Sequence, residues 1–159
     1  MTASTGSFEW LAEVAPVRAP AGGTMTMLLD HDVEMVAEAR HAVGHWLDQR
    51  GCRTCDDAVL VLSELVTNAM VHAGAGCTVG LQHRDDLLRL EVRDPSPREP
   101  VLRPVAPAVV GGHGLRVVDA LAESWGWERT SDGKRVWAIV PAAVHPHPDG
   151  DGGAASRSS

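Results

Sequence analysis

The stretch "SELVTNA" (residues 63–69) places a glutamate and an asparagine four residues apart within an otherwise apolar run. It belongs to the longer segment "AVLVLSELVTNAMVHA" (58–73), which two aspartates precede and a glycine follows. Acidic residues favour the start of a helix and glycine favours its end, so the segment is predicted to be a helix. In that helix Glu64 and Asn68 lie one turn apart on the same face.

A polar pair on an apolar helix needs a physical reason. Burying an unpaired carboxylate costs several kcal/mol, and an unsatisfied amide costs about 1–3 kcal/mol. A hydrated Mg²⁺ would satisfy both groups, because the oxygen of Asn68 is a hard ligand and Glu64 can hold or activate a water or hydroxyl. The alternative is a half-exposed helix whose two polar side chains face solvent. Spacing alone leaves both interpretations open.

The segments around this helix alternate between helical and strand patterns. Hairpins grouped together, with helices between them, predict an α+β fold: a two-layer sandwich of a mainly antiparallel sheet with helices on one face. The predicted elements are a strand over 24–30, a helix from Asp32 to about Arg50, the helix that ends at Gly74, a hairpin over 77–94, a helix from Leu115 to about Ala122, and a hairpin formed by "SWGWERT" (124–130) and "KRVWAIV" (134–140).

Two groups of side chains are predicted to form the core beside the central helix. Trp125, Trp127 and Trp137 of the last hairpin are expected to pack against the helices. The first helix is expected to place Val33, Val36, Ala37, Val43 and Leu47 on one side, and its Trp46 belongs either to the core or to a dimer contact.

Composition limits the function classes. The chain has 159 residues and a net charge of -7, and it contains no basic run, so binding to nucleic acid or to an anionic membrane is not expected. No signal segment or membrane span is apparent, which predicts a cytoplasmic protein. The ends are rich in small and polar residues, so we expect disorder over 1–22 and 142–159 around a single domain over 24–141.

The three cysteines are few and odd in number. Cys52 and Cys55 have the spacing of zinc or redox motifs, but no second cysteine or histidine pair follows at the spacing of a zinc finger. Together with Cys77 they are therefore predicted to be ordinary thiols.

Two further stretches contain candidate binding residues. Asp94 ends the strand "LRLEVRD" (88–94), where a carboxylate can either cap a turn or accept a hydrogen bond from a nucleobase amine. The stretch "GGHGL" (111–115) places glycines at a helix start, where free backbone N–H groups suit a phosphate, although glycines there can also serve geometry alone. The pattern is not a Walker loop.

In this order, "LSELVTNAMVHAG", "LEVRDPSPREP", "GGHGLRVVDALAESWGW" and "GKRVWAIVP" resemble the ATP-binding domain of the gyrase, chaperone and histidine-kinase superfamily (GHKL). The resemblance runs from about Thr24 to Pro141 and is strongest to the anti-sigma-factor serine/threonine kinases of bacterial partner switching. It implies the Bergerat fold, which agrees with the α+β sandwich predicted from the residues.

The resemblance also implies a role for individual residues. Glu64 would be the catalytic base, and Asn68 would ligate Mg²⁺ beside the bound ATP. Asp94 would hold the adenine amine. The phosphates would lie against the backbone of the helix start, at Gly112, His113, Gly114 and Leu115. Gly133 and Lys134 would open the last core strand, and the proline-rich loop between Asp94 and Gly111 would be the nucleotide lid.

The function implied is phosphorylation of a serine or threonine on an anti-anti-sigma (STAS-domain) protein. The factor that performs it also binds a sigma factor, and the resemblance implies that this factor can be a homodimer. In the family, the motif that follows the aspartate corresponding to Asp94 contains spaced glycines, whereas this chain has Pro95 and Pro97 at the start of that motif. That difference leaves an alternative open: a nucleotide- or protein-binding switch of the same fold without kinase activity.

Overall fold

The structure, a computed structural model, describes residues 23–52, 55–102 and 114–143. The segment 1–22 and all but the first two residues of 142–159 lie outside these ranges, so the expected disorder and domain bounds stay predictions. The described elements, in chain order, are β1 (Gly23–Leu29), α1 (Glu34–Asp48), α2 (Asp56–Ala73), β2 (Cys77–Arg84), β3 (Leu87–Asp94), α3 (Gly114–Leu121), β4 (Ser124–Thr130) and β5 (Gly133–Pro141).

The strands form one antiparallel sheet in the order β1-β2-β3-β5-β4. Helix α2 contacts β2, β3 and β5, and both α1 and α3 pack against α2. The predicted α+β class, with hairpins grouped between helices, is confirmed. The central position of α2 explains why it is the most apolar of the three described helices: it contacts the sheet and both of the others.

The ends of the helices follow the local chemistry of the sequence. The Oδ1 atom of Asp32 accepts a hydrogen bond from the backbone N–H of Glu34 at 3.0 Å, which satisfies a free donor at the start of α1. Gly74 ends α2 in a left-handed conformation with φ of 62°, which a glycine adopts without steric cost. The hairpin between β2 and β3 turns at Asp85, also left-handed with φ of 55°.

The buried face of α1 differs in part from the prediction. Val43 and Leu47 are buried as expected, but Val33 is 85% exposed and Ala37 is exposed. The buried positions are Ala39, Val43, Trp46 and Leu47, because only one helical stripe faces α2 and β1. Trp46 belongs to the core of this chain.

The tryptophans of the last hairpin lie on both faces of the sheet. Trp127 is opposite Val136 and Trp125 is opposite Ala138, on the face that packs against the helices, as predicted. Trp137 lies between Val136 and Ala138 and therefore faces the other way, because side chains alternate along a strand. Its ring lies 4.9 Å from the guanidinium carbon of Arg89, so the prediction for Trp137 is wrong.

The sulfur atoms of Cys52 and Cys55 are joined in a disulfide, with the two Cα atoms 6.0 Å apart. The expectation of ordinary thiols is wrong for this pair, because both cysteines are buried and their Cα atoms lie within the usual range for a disulfide. Cys77 is a free and buried thiol.

None of the helices in the described ranges is long and apolar enough to span a membrane.

Candidate functional site

A cavity of about 930 Å³ lies between α2, the ends of β3 and β5, and the first residues of α3. The loop that follows β3 forms its outer edge. The lining residues from α2 are Glu64, Leu65, Thr67, Asn68, Ala69, Val71 and His72; those from the sheet are Val92, Asp94, Arg129, Lys134 and Val136; those from the loop and α3 are Pro97, Arg98, Glu99, Pro100, Val101, Gly114 and Leu115.

Glu64 and Asn68 line this cavity from adjacent turns of α2. Both side chains are half-buried. No hydrogen bond or ion pair joins either side chain to another residue in the part of the chain that the structure describes. The pair is thus neither buried in the core nor free in bulk solvent. Its oxygen and nitrogen atoms line a space large enough for a ligand.

The start of α3 lies directly against this pair. A Cβ atom added at Gly114 would come within 2.6 Å of Glu64 Oε2 and within 3.3 Å of Asn68 Oδ1. A larger residue at this position would require the ends of these two side chains to shift. The free N–H groups at the beginning of α3 and the polar pair of α2 therefore belong to the same small region. Gly112 and His113 lie outside the described residues.

Asp94 and Lys134 face each other across β3 and β5 in the lining of the cavity. Lys134 Nζ donates a hydrogen bond to Asp94 Oδ1 at 2.9 Å, and both side chains are buried. The same Oδ1 accepts a hydrogen bond at 2.8 Å from the backbone N–H of Ser96. The carboxylate is held in one orientation by these two donors.

Gly133 makes this arrangement possible. A Cβ at position 133 would overlap the backbone oxygen of Asp94 and lie 2.6 Å from the Cα of Pro95. Its φ of 153° is also one that other residues rarely adopt. The turn from β4 into β5 can thus pack against the chain where β3 ends. Within the described residues that follow β3 (95–102), Pro97 and Pro100 line the cavity without filling it.

The rest of the lining combines apolar and charged groups. Val92 and Val136 contribute buried apolar surface to the lining, suited to the flat face of a nucleobase. Arg98 and Arg129 line its exposed edge. With Lys134 they provide three cations against the three carboxylates of the lining, in a chain whose net charge is -7. The charges of the cavity lining are therefore closer to balance than those of the chain as a whole, which favours the binding of an anion.

Cys77 lies close enough to this end of the sheet to be affected by Asp94. Burial raises the pKa of the Cys77 thiol to about 11, and the negative charge of Asp94 adds to the increase. A thiol with so high a pKa is protonated at neutral pH and is a poor nucleophile.

No cluster of three or more metal-binding side chains is present in ranges 23–52, 55–102 and 114–143.

The structure thus brings together Glu64, Asn68, Asp94, Gly114 and Leu115, five residues that the sequence had suggested for one site. The sequence predicts for Lys134 only a place at the start of a strand, and it gives no local signal for Arg129. Their place in the cavity depends on the pairing of β5 with β3 and β4, which no local pattern shows.

These features define a nucleotide-binding domain: an antiparallel sheet covered by helices on one face, with a cavity between α2 and the start of α3. A sequence model of the histidine kinase-like ATPase domain matches residues 29–140. The chain belongs to the histidine kinase-like ATPase family, which confirms the resemblance to the GHKL superfamily and indicates ATP as the ligand.

Eighteen chains among solved structures match this fold. One is the crystal structure of the RsbU and RsbW domains of Rv1364c from Mycobacterium tuberculosis, with 22% sequence identity and a TM-score of 0.55. The match covers 79% of this chain and 34% of that chain, so this protein corresponds to about one third of that structure. At this identity the match shows a shared fold. No curated protein matches the sequence significantly.

Proposed function

We propose that this protein is an ATP-dependent serine/threonine kinase of the anti-sigma type, which phosphorylates an anti-anti-sigma protein with a STAS domain. One observation carries the proposal: Glu64 and Asn68 line an open cavity beside the start of α3 without a partner of their own among the described residues. The shared fold with a structure that contains an RsbW domain supports the anti-sigma branch of the family.

The residues of the cavity suit Mg·ATP. Asn68 offers one amide oxygen, and Mg²⁺ commonly takes one or two protein ligands and completes its shell with phosphate and water. The ion would supply neutralisation of the negative charge on the transferred phosphoryl group. Asp94 would accept a hydrogen bond from the adenine amine, and Val92 and Val136 would contact the ring.

Glu64 would accept the proton of the attacking hydroxyl. In this step the serine oxygen of the partner bonds to the γ-phosphorus, the bond from that phosphorus to the β,γ-bridging oxygen breaks, and ADP leaves. Backbone N–H groups at the start of α3 would hold the phosphates, together with Gly112 and His113, which lie outside the described residues. Arg98 and Arg129 would neutralise charge at the open edge of the cavity.

Phosphorylation would also separate the two proteins. A phosphoserine adds about two negative charges to the contact surface, and this chain already has a net charge of -7. The released factor would then be free to bind a sigma factor. We further propose that the protein works in the cytoplasm, where both partners act.

Calorimetric titration of ATP, with and without Mg²⁺, tests the first step. Wild-type protein should bind ATP more tightly with Mg²⁺, and Asn68→Ala should lose that difference while it retains the fold. Gln82→Ala is a suitable control, because Gln82 lies on β2 outside the cavity. An Asn68→Ala protein with unchanged Mg²⁺ dependence would contradict the role of Asn68.

The second step is tested with radiolabelled ATP and purified STAS-domain proteins from the same organism. Transfer of label to a serine or threonine of one of them, dependent on Glu64, is the expected result. Tight ATP binding without transfer to any of these proteins would instead support the alternative, a nucleotide-dependent switch that binds partners without phosphorylating them.

A further inference from the structure

The disulfide between Cys52 and Cys55 joins the end of α1 to the start of α2. The backbone N–H of Cys52 donates a hydrogen bond at 3.1 Å to the carbonyl oxygen of Leu47, which satisfies an acceptor in the last turn of α1. Cys55 immediately precedes α2, and its carbonyl oxygen accepts a hydrogen bond at 3.1 Å from the N–H of Val59. Helix-end hydrogen bonds thus hold both backbone positions in addition to the bond between the sulfur atoms.

This disulfide closes a short loop, since the two cysteines are three positions apart in the sequence. A disulfide stabilises a protein mainly by restricting the unfolded chain, and short loops restrict it least. The helix pair that the disulfide joins also has a close-packed core of its own, in which Val43, Leu47, Val61 and Leu62 are each at most 1% exposed. We therefore expect the domain to fold whether the pair is oxidised or reduced.

A second cavity, of about 410 Å³, lies beside the disulfide. Its lining residues are Gly44, Leu47 and Asp48 of α1, the two cysteines, and Asp56 and Val59 of α2, none of which lines the nucleotide cavity. A Cβ atom added at Gly44 would meet no atom within 4 Å, so the glycine leaves its side of the space unfilled. Cys52 and Cys55 are only 5% and 6% exposed, so this cavity is the route by which a small thiol or disulfide reaches their sulfur atoms.

The three cysteines differ in their surroundings. Burial raises the pKa of Cys77 to about 11, which keeps that thiol protonated and unreactive. Cys55 occupies the position before the first turn of α2, where free N–H groups and the helix dipole stabilise a thiolate. Asp56 and Asp57 in that turn are exposed, so solvent screens their opposing charges. Cys52 follows the carbonyl end of α1, which disfavours a negative charge. Cys55 is therefore the better nucleophile of the pair.

We propose that Cys52 and Cys55 form a redox-active site, which exchanges two electrons with a low-molecular-weight thiol–disulfide couple through the cavity beside α1. In oxidation, the Cys55 thiolate attacks one sulfur of the external disulfide, forms a mixed disulfide with it and releases the other half as a thiolate. Cys52 then gives its proton to water and attacks Cys55 Sγ, which closes the protein disulfide and releases the second thiolate. The pair loses two electrons, and the external disulfide is reduced to two thiols.

Reduction follows the same steps in reverse. The inference goes beyond nucleotide binding and does not depend on it. A reversible bond also agrees with the proposed cytoplasmic location, because disulfides of cytosolic proteins are usually transient and either catalytic or redox-sensing.

The test is a redox titration of the full-length protein, without denaturant, in anaerobic mixtures of cysteamine and cystamine. This couple is small and positively charged, which suits a lining that contains Asp48 and Asp56. Acid quenching, alkylation and mass spectrometry then count the free thiols. We expect the pair to pass from fully oxidised to fully reduced as the proportion of cysteamine rises. Cys77→Ala, in which the pair contributes the only thiols, should give the same titration curve.

Two results of the titration would overturn the proposal. A pair that stays oxidised in excess cysteamine, and is reduced only after denaturant is added, would be a structural cross-link. A pair that stays reduced in excess cystamine would form no disulfide in the folded protein.

Single-cysteine variants test the order of the steps. Cys52→Ser should accumulate a mixed disulfide of Cys55 with cystamine, seen as a mass increase of one half-cystamine, about tenfold faster than Cys55→Ser forms one at Cys52. The opposite order of rates would overturn the assignment of Cys55 as the attacking sulfur.

Gly44→Leu tests the route. The added side chain should occupy the cavity and slow exchange with cystamine and with cysteamine by about tenfold, without a change in the equilibrium ratio, because access affects rates alone. Ala37→Leu is the matched control, since Ala37 is an exposed residue of the same helix that does not line the cavity. Equal rates for Gly44→Leu and the wild type would overturn the cavity as the route.

Discussion

Gly114, the first residue of α3, lies against the carboxylate of Glu64, so closely that a Cβ at position 114 would be 2.6 Å from Glu64 Oε2. Two segments fifty residues apart in the chain therefore meet at one point of the cavity. The polar pair of α2 therefore lies beside the free N–H groups that begin α3.

Gly114→Ala should therefore weaken ATP binding. The added methyl group must displace Glu64 or shift the start of α3, and we expect an affinity loss of about tenfold or more, roughly 1.4 kcal/mol. Calorimetric titration with Mg·ATP measures it. Gly44→Ala in α1 is the control, since a Cβ there meets no atom within 4 Å. It should leave binding unchanged and raise the free energy of unfolding by about 0.5–1 kcal/mol.

Glu64→Gln separates catalysis from binding. The amide keeps the size of the side chain but cannot accept the proton, so phosphoryl transfer should slow by about 10²–10⁴-fold. The dissociation constant of ATP should change little, because the variant retains Asn68, Asp94 and the helix start. Single-turnover transfer of labelled phosphate to a STAS-domain protein is the measurement. A variant with the wild-type rate would eliminate Glu64 as the base.

The buried pair of Asp94 and Lys134 should show strong energetic coupling. Removing one partner leaves a buried charge uncompensated, so Asp94→Asn and Lys134→Met should each lower the free energy of unfolding by about 3–5 kcal/mol. The double variant should lose much less than the sum of the two. Denaturant unfolding of the four proteins gives the coupling energy. Simple additivity would mean that the pair contributes no interaction of its own.

Cys77 should make the protein less stable at alkaline pH. Its pKa rises from an ordinary value of 9.0 to about 11 in the folded chain, so between these values the folded state binds more protons than the unfolded state. The free energy of unfolding must then fall as pH rises from 9 to 11, by up to roughly 2–3 kcal/mol from this group. Below pH 9 the contribution is constant.

Cys77→Ala provides the comparison for this prediction. Its unfolding free energy, measured at several pH values between 8 and 11, should fall less steeply than that of the wild type. Parallel curves for the two proteins would contradict the raised pKa. The small cavity left by alanine lowers the free energy of unfolding by the same amount at every pH, so it does not affect the comparison of the two slopes.

Local patterns predicted most of the fold because helix ends and turns depend on neighbouring residues. Gly74 ends α2 where a left-handed residue was expected, and the turn at Asp85 separates two alternating strands. The predictions were wrong where they assigned a side chain to the buried face of a strand or helix. Trp137 alternates away from the helices, and Val33 precedes the buried stripe of α1, because these outcomes depend on which neighbours the fold supplies.

The sequence by itself determined the elements, the α+β class and the residues of the candidate site on α2, since helical spacing alone places Glu64 beside Asn68. Only the tertiary structure decided what those residues meet. Gly114 reaches Glu64 through packing of α3 on α2, and Lys134 reaches Asp94 through pairing of strands 40 residues apart. Such contacts arise from burial of shared apolar surface and from strand register, which are properties of the whole chain rather than of any local segment.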